Sequence, residues 1–201
     1  MTTSAPAPAL PLKARIDLVA KHVIRARLFL DLWFYFEEDR SRREIFETME
    51  EYGEFFRFAS HAYLVTYVVY VAGVFETRRD TISFDTLIRE MKATGQLVGQ
   101  GEAVSSLLSS AKPIAKKVAI LRNKAVAHRT ISMSYNDVFK LADVTPGELR
   151  DITDIALKIS NRLLLSCGLQ DQEFTDLPRE DAVSMMSALA LSRPTLDELR
   201  H

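Results

Sequence analysis

The stretch "AILRNKAVAHRT", residues 119–130, gathers Arg122, Asn123, Lys124, His128 and Arg129 at the end of a long apolar-periodic run. These side chains pack poorly and handle phosphates and protons well. An arginine offers a planar fork of donors that matches phosphate oxygens. A histidine titrates near neutral pH and can act as general acid or base. Asn123 can orient either the histidine or a phosphate. Together they fit cleavage of a phosphodiester by a neighbouring 2′-hydroxyl, which needs proton transfer and charge stabilisation and no metal ion. No cofactor is expected, and no His/Cys/Asp cluster stands at metal-ligand spacing.

The spacing alone is weak evidence. Arg15 and His22 fit a looser version of it, with Ile16 after the arginine and a place early in the first helix. The 122–128 stretch differs in having polar Asn123 after the arginine, Ala127 before the histidine, and a position late in a helix. A structural reading stands beside the chemical one: Arg122 and His128 can be helix-end cations that favour the dipole. Lys112, Lys116, Lys117, Lys124 and Arg129 lie on or next to the same helix and either attract phosphates or form a solvated face. On an ideal helix, positions 122 and 128 are about 120° apart. One subunit then separates the two side chains, unless the helix ends before the histidine, and a two-fold dimer would gather both copies in one cleft.

The elements that must position these residues read as helices. Leu12, Ile16, Val19, Val23 and Leu30 recur at helical spacing, Pro11 suits a first turn, and the run ends at the charged "EEDRSRRE". A second helix is expected from about 44 to 77, despite strand-like Val, Thr and Tyr, because some thirty residues pass without a turn signal. A third follows Ser83 as N-cap and closes at Gly95. A fourth runs from about 102 to 127, with a kink or restart at Pro113. After a loop, a fifth opens with Thr145 as cap, Pro146 in the first turn and Glu148 completing a capping box, and stops at Gly168. Residues 178–191 add a short amphipathic helix. The expected fold is an all-α, up-and-down helical bundle. Its expected organisation is a disordered leader at 1–10, a bundle at 11–169 and a C-terminal extension with a short helix at 170–201.

Composition narrows the function classes. The 201 residues carry a formal net charge of −1 and are 47% hydrophobic, so a sizeable core can form, and the charge argues against coating nucleic acid by bulk charge while leaving room for a local basic face. The charge-free segment 62–75 is shorter than the ~20 residues of a membrane span and reads as a buried core helix. Cys167 is the one cysteine, which suits a reducing cytoplasm, and it reads as a small buried hydrophobe. His61 reads as a packed core histidine, His22 as a helix-surface residue, and "WFYFEED" as core followed by a charged helix end. "GQLVGQGE" lacks the Gly-Lys-Ser/Thr of a phosphate loop.

The wording "LRNKAVAHR" resembles the signature of the HEPN superfamily of all-helical proteins: an arginine, a polar residue, then a histidine after a short gap. With the following "TPGELRDI" helix it most resembles the HEPN group named after the abortive-infection U protein, over residues 12–169. The resemblance implies a homodimer with the motif helices facing each other. It also implies, in many members, a metal-independent ribonuclease of toxins and phage defence, in some cases with a cognate antitoxin. Carried onto this chain, it makes Arg122, Asn123 and His128 the catalytic set, with Lys116, Lys117, Lys124 and Arg129 attracting RNA. Many nuclease members have a tyrosine two residues past the histidine, where this chain has Thr130. A HEPN-like dimer that binds RNA, a nucleotide or a protein partner without cutting is the alternative.

Overall fold

The computed structural model describes residues 10–127 and 135–192; the leader at 1–9 and the motif residues His128, Arg129 and Thr130 lie outside them. The described residues form eight α-helices and no strand: α1 (Leu12–Glu37), α2 (Asp39–Glu51), α3 (Gly53–Val74), α4 (Phe84–Ala93), α5 (Gly101–Leu121), α6 (Tyr135–Ala142), α7 (Pro146–Ser166) and α8 (Leu177–Leu191). A π-helical turn, Arg122–Ala127, continues α5.

The chain places its caps where the side chains dictate. The Ser83 hydroxyl accepts from the Thr86 backbone N–H, and Thr86 reciprocates, closing the start of α4. Thr145 and Glu148 do the same at α7, with Pro146 in the first turn. Gly95 (φ 70°) and Gly168 (φ 69°) end α4 and α7 in the left-handed conformation that glycine adopts without a Cβ clash.

Three expectations need correction. The helix expected at 44–77 is two: α2 already begins at Asp39, directly after an extended Glu38 (ψ 130°), and Tyr52 (φ −111°, ψ 37°) breaks the chain before Gly53 opens α3. The loop expected after the motif contains α6, which closes at Asp143 (φ 50°), a residue whose short polar side chain tolerates that turn. Helix α5 does not restart at Pro113. The helix continues through Pro113, and Pro113 and Ser109, whose carbonyl loses its amide partner, are both exposed residues.

Helix α1 is the spine, packing on α3 and α7, with α5 against α7 and α3. Ile16, Val19 and Val23 meet Leu87, Met91, Ile159 and Leu163 at one end. In the middle Leu30, Tyr67, Val71, Val118, Leu121 and Ile152 form the second cluster. At the far end Ala182 and Met186 of α8 close over Tyr35, Phe36, Met49 and Phe56. Thus Phe34, Tyr35 and Phe36 are core, as is Cys167, whose thiol burial pushes up. His61 is not core: it is exposed on α3. His22 is half-buried with its ring 5.1 Å from that of Tyr70, and desolvation lowers its pKa.

Tyr67 ties α3 to α7. Fully buried, it donates its hydroxyl to the Leu149 carbonyl (2.8 Å) beside Thr153 Oγ1 (3.2 Å), and desolvation raises its pKa. Tyr67→Phe is expected to cost about 0.5–1.5 kcal/mol, one buried hydrogen bond. Leu30→Ala, which empties a fully buried site, should cost about 2–5 kcal/mol. Urea unfolding followed by circular dichroism measures both; equal losses would contradict this assignment of roles.

Candidate functional site

Along α5, Leu108, Lys112, Ala115, Lys116 and Ala119 share one face with Arg122 at its end, the spacing of a helical stripe. Opposite them is the C-terminal end of α3. That helix closes in a tight last turn, with the Glu76 amide donating to the Gly73 carbonyl at 3.2 Å, so Ala72, Phe75 and Glu76 confront the stripe. With Asp85 of α4 they enclose a groove of about 380 Å³.

Arg122 lies at one end of this groove and is held on two sides. Its Nη1 donates to Glu76 Oε2 at 2.8 Å, and its Nε donates to Asn123 Oδ1 at 3.1 Å. The side chains of Arg122 and Glu76 are 31% and 19% exposed, so this ion pair is less screened by solvent than one at the open surface. The hydrogen bond from Arg122 holds the Glu76 carboxyl below the ordinary glutamate range, against the opposing effect of desolvation; the Thr77 amide adds a second donor at 3.0 Å.

The basic residues divide. Lys112 and Lys116 line the groove and are exposed. Lys117 points elsewhere: its Nζ bonds Glu148 Oε1 at 2.7 Å, inside the capping box of α7, and lies 3.5 Å from Asp143 Oδ2. Its pKa is raised by those partners. Asn123 and Lys124 are exposed on the π-turn. The structure therefore joins Arg122 and Asn123 directly, puts Lys112 and Lys116 along the same groove, and separates Lys117. His128 and Arg129 lie outside the described residues, so the expected 122–128 geometry is not drawn. The wider i→i+5 turn from Arg122 onward does mean that ideal α-helical angles stop applying there.

Glu76 was missed in the sequence, although a signal was present. It is the first charged residue after the uncharged segment 62–75, where a carboxylate ends a core helix.

Because folding depresses the Glu76 pKa, the pair contributes stability that is complete above glutamate's ordinary 4.5 and is lost as pH falls through the folded value. Glu76→Gln should therefore melt below wild type at pH 7, and the gap should close as the pH drops beneath 4.5. Melting curves for both proteins between pH 7 and pH 3 test this; a gap that is constant with pH would assign Glu76 a packing role only.

The profile of the AbiU2 family of HEPN proteins matches residues 10–184, from the start of α1 into α8. No curated protein and no solved structure matched the chain. The matched span takes in the helical bundle and the groove with Arg122 and Asn123. The chain belongs to the AbiU2 family of HEPN proteins.

Proposed function

We propose that this HEPN protein is a cytoplasmic, metal-independent endoribonuclease, acting as a toxin or in abortive infection against phage. The observation that carries the reading is a motif arginine fixed by Glu76 and Asn123 in a groove that also holds Lys112 and Lys116. A guanidinium fixed in this way meets a phosphate at little further entropic cost.

In the proposed reaction the 2′-oxygen of the substrate bonds to phosphorus and the P–O5′ bond breaks. A base takes the 2′ proton and an acid returns one to the 5′-oxygen. The products are a 2′,3′-cyclic phosphate and a 5′-hydroxyl. Arg122 stabilises the charge that develops on the phosphate oxygens. His128 supplies proton transfer. Lys116, Lys124 and Arg129 draw in RNA. Lys117, neutralised by Glu148, contributes less.

A homodimer through the motif-bearing helix completes the proposal. Along α3, Ala62 and Val69 are exposed and Val65 half-buried, an apolar strip that a two-fold contact would bury. A non-cutting HEPN dimer that binds RNA, a nucleotide or a protein partner is the second reading.

Purified wild type is expected to cleave single-stranded RNA in EDTA, leave cyclic phosphate ends and spare DNA, which lacks the 2′-hydroxyl. His128→Ala should lose about 10²–10⁴-fold. Arg122→Ala should lose about 10²–10³-fold. His22→Ala, whose ring packs on Tyr70 away from the groove, should cleave as wild type does. RNA degraded equally by wild type and His128→Ala would leave the non-cutting reading. For the assembly, sedimentation at micromolar concentration should show a dimer that Val69→Glu converts to a helical monomer; a wild-type monomer would remove the shared cleft.

A further inference from the structure

Half-buried arginines in this chain have carboxylate partners. Arg15 meets Glu90, Arg27 meets Asp31 and Asp154, Arg42 meets Glu37, and Arg122 meets Glu76. Arg162 of α7 is the exception among the described residues. It is half-buried, yet its Nη1 donates to an uncharged acceptor, Gln100 Oε1 at 2.5 Å, and no carboxylate pairs with it. A partly desolvated guanidinium ordinarily keeps a counter-charge.

Arg162 lines a cleft of about 780 Å³ between the connector 94–100, α5 and α7, a volume within the range of small-molecule sites. Lys158, one turn before Arg162, adds a second cation, and among the described residues no Asp or Glu lines the cleft. Two other clefts differ. The Arg122 groove holds Glu76 and Asp85, and an aromatic cleft between α1, α2, α3 and α6, walled by Trp33, Phe46 and Phe56, holds Glu37 and Glu50. The remaining wall of the Arg162 cleft is apolar: Val98 is 86% and Leu165 60% exposed, and Leu107 is half-buried. The connector holds Val98 outward. Leu97 before it is buried in the core, and Gly95 and Gly99 turn the backbone in the left-handed conformation (φ 70° and 77°). Exposed apolar side chains beside a cation without a counter-charge mark a place for a ligand that is both anionic and apolar.

The fork narrows the anion. Gln100 engages Nη1, which leaves Nε and Nη2 of Arg162 as an edge for a planar, two-oxygen partner. A singly charged group also costs less to desolvate against the apolar wall than a dianion. We propose that this cleft binds a small aliphatic carboxylate, with its head on Arg162 and Lys158 and its chain along Val98, Leu107 and Leu165. The inference does not depend on the nuclease reading, because the cleft shares no lining residue with the Arg122 groove.

Calorimetric titration of the full-length protein tests it, with sodium octanoate below its micellar range as the probe. Butanoate, octylamine, octanol, inorganic phosphate and AMP are the comparison ligands. Saturable one-to-one binding of octanoate, weaker for butanoate, supports the proposal. Arg162→Gln should weaken octanoate binding by about tenfold or more, the effect of losing a charge-assisted contact. Leu165→Glu, at an exposed position, should weaken it too, because it sets a carboxylate inside the cleft. Circular dichroism checks that both variants keep their helicity, and the Leu165 variant decides if Arg162→Gln does not fold. Absence of saturable octanoate binding overturns the proposal. So does binding of octylamine, octanol, phosphate or AMP as tight as that of octanoate, butanoate binding as tight as octanoate, or unchanged affinity in either folded variant.

Discussion

Everything in this structure depends on how α3 is covered. From Ala62 to Phe75 the chain has no charge, and such a helix in water must be sheathed over most of its circumference. No helix among the described residues is long and apolar enough to cross a membrane. Helix α1 takes one side through Phe29, Tyr63 and Tyr70, and the core takes another through Leu64, Tyr67 and Val71. What remains uncovered is the strip ending at Val69. The two ends of α3 then make two concave features: its start walls the aromatic cleft, and its last turn holds Glu76 against Arg122.

The fold was legible where local chemistry and periodicity agree. Ser83, Thr145 and Glu148 can satisfy orphan amides only at helix starts, and each does so. Gly95 and Gly168 end helices because their backbone reverses hand. The break at Tyr52 was not legible. The apolar pattern runs on from α2 into α3, although the break falls directly before Gly53, a weak helix former, and Met49 and Phe56 on either side of it join the same cluster. Helix α6 was hidden for a related reason. It is eight residues long, below the length at which an isolated helix is stable, and it exists because Ala142 and Phe139 pack on the central core.

The site divides in the same way. Arg122 stood out because it combines phosphate chemistry with a late-helix position. Its partner did not, because an ion pair between residues 76 and 122 has no sequence spacing to betray it. Lys117 and Lys116 are adjacent in sequence and opposite in fate: one step along a helix turns the side chain by about 100°, enough to send Lys117 to the cap of α7 and Lys116 to the groove. A basic run along a helix is therefore a set of faces, and only the face toward α3 belongs to the site.

The pairing of Arg122 with a carboxylate is compatible with phosphate binding. A guanidinium has five donors in a fixed plane. Glu76 engages Nη1, and Asn123 engages Nε. Such partners restrict the orientation of the plane without neutralising the groove, since Lys112 and Lys116 add positive charge along it, and Asp85 is itself bonded to Arg89. In the proposed reaction the carboxylate would not have to leave; it would set the angle at which Arg122 meets a phosphate. The same bond makes the candidate site part of the fold, because it joins the end of α3 to the end of α5.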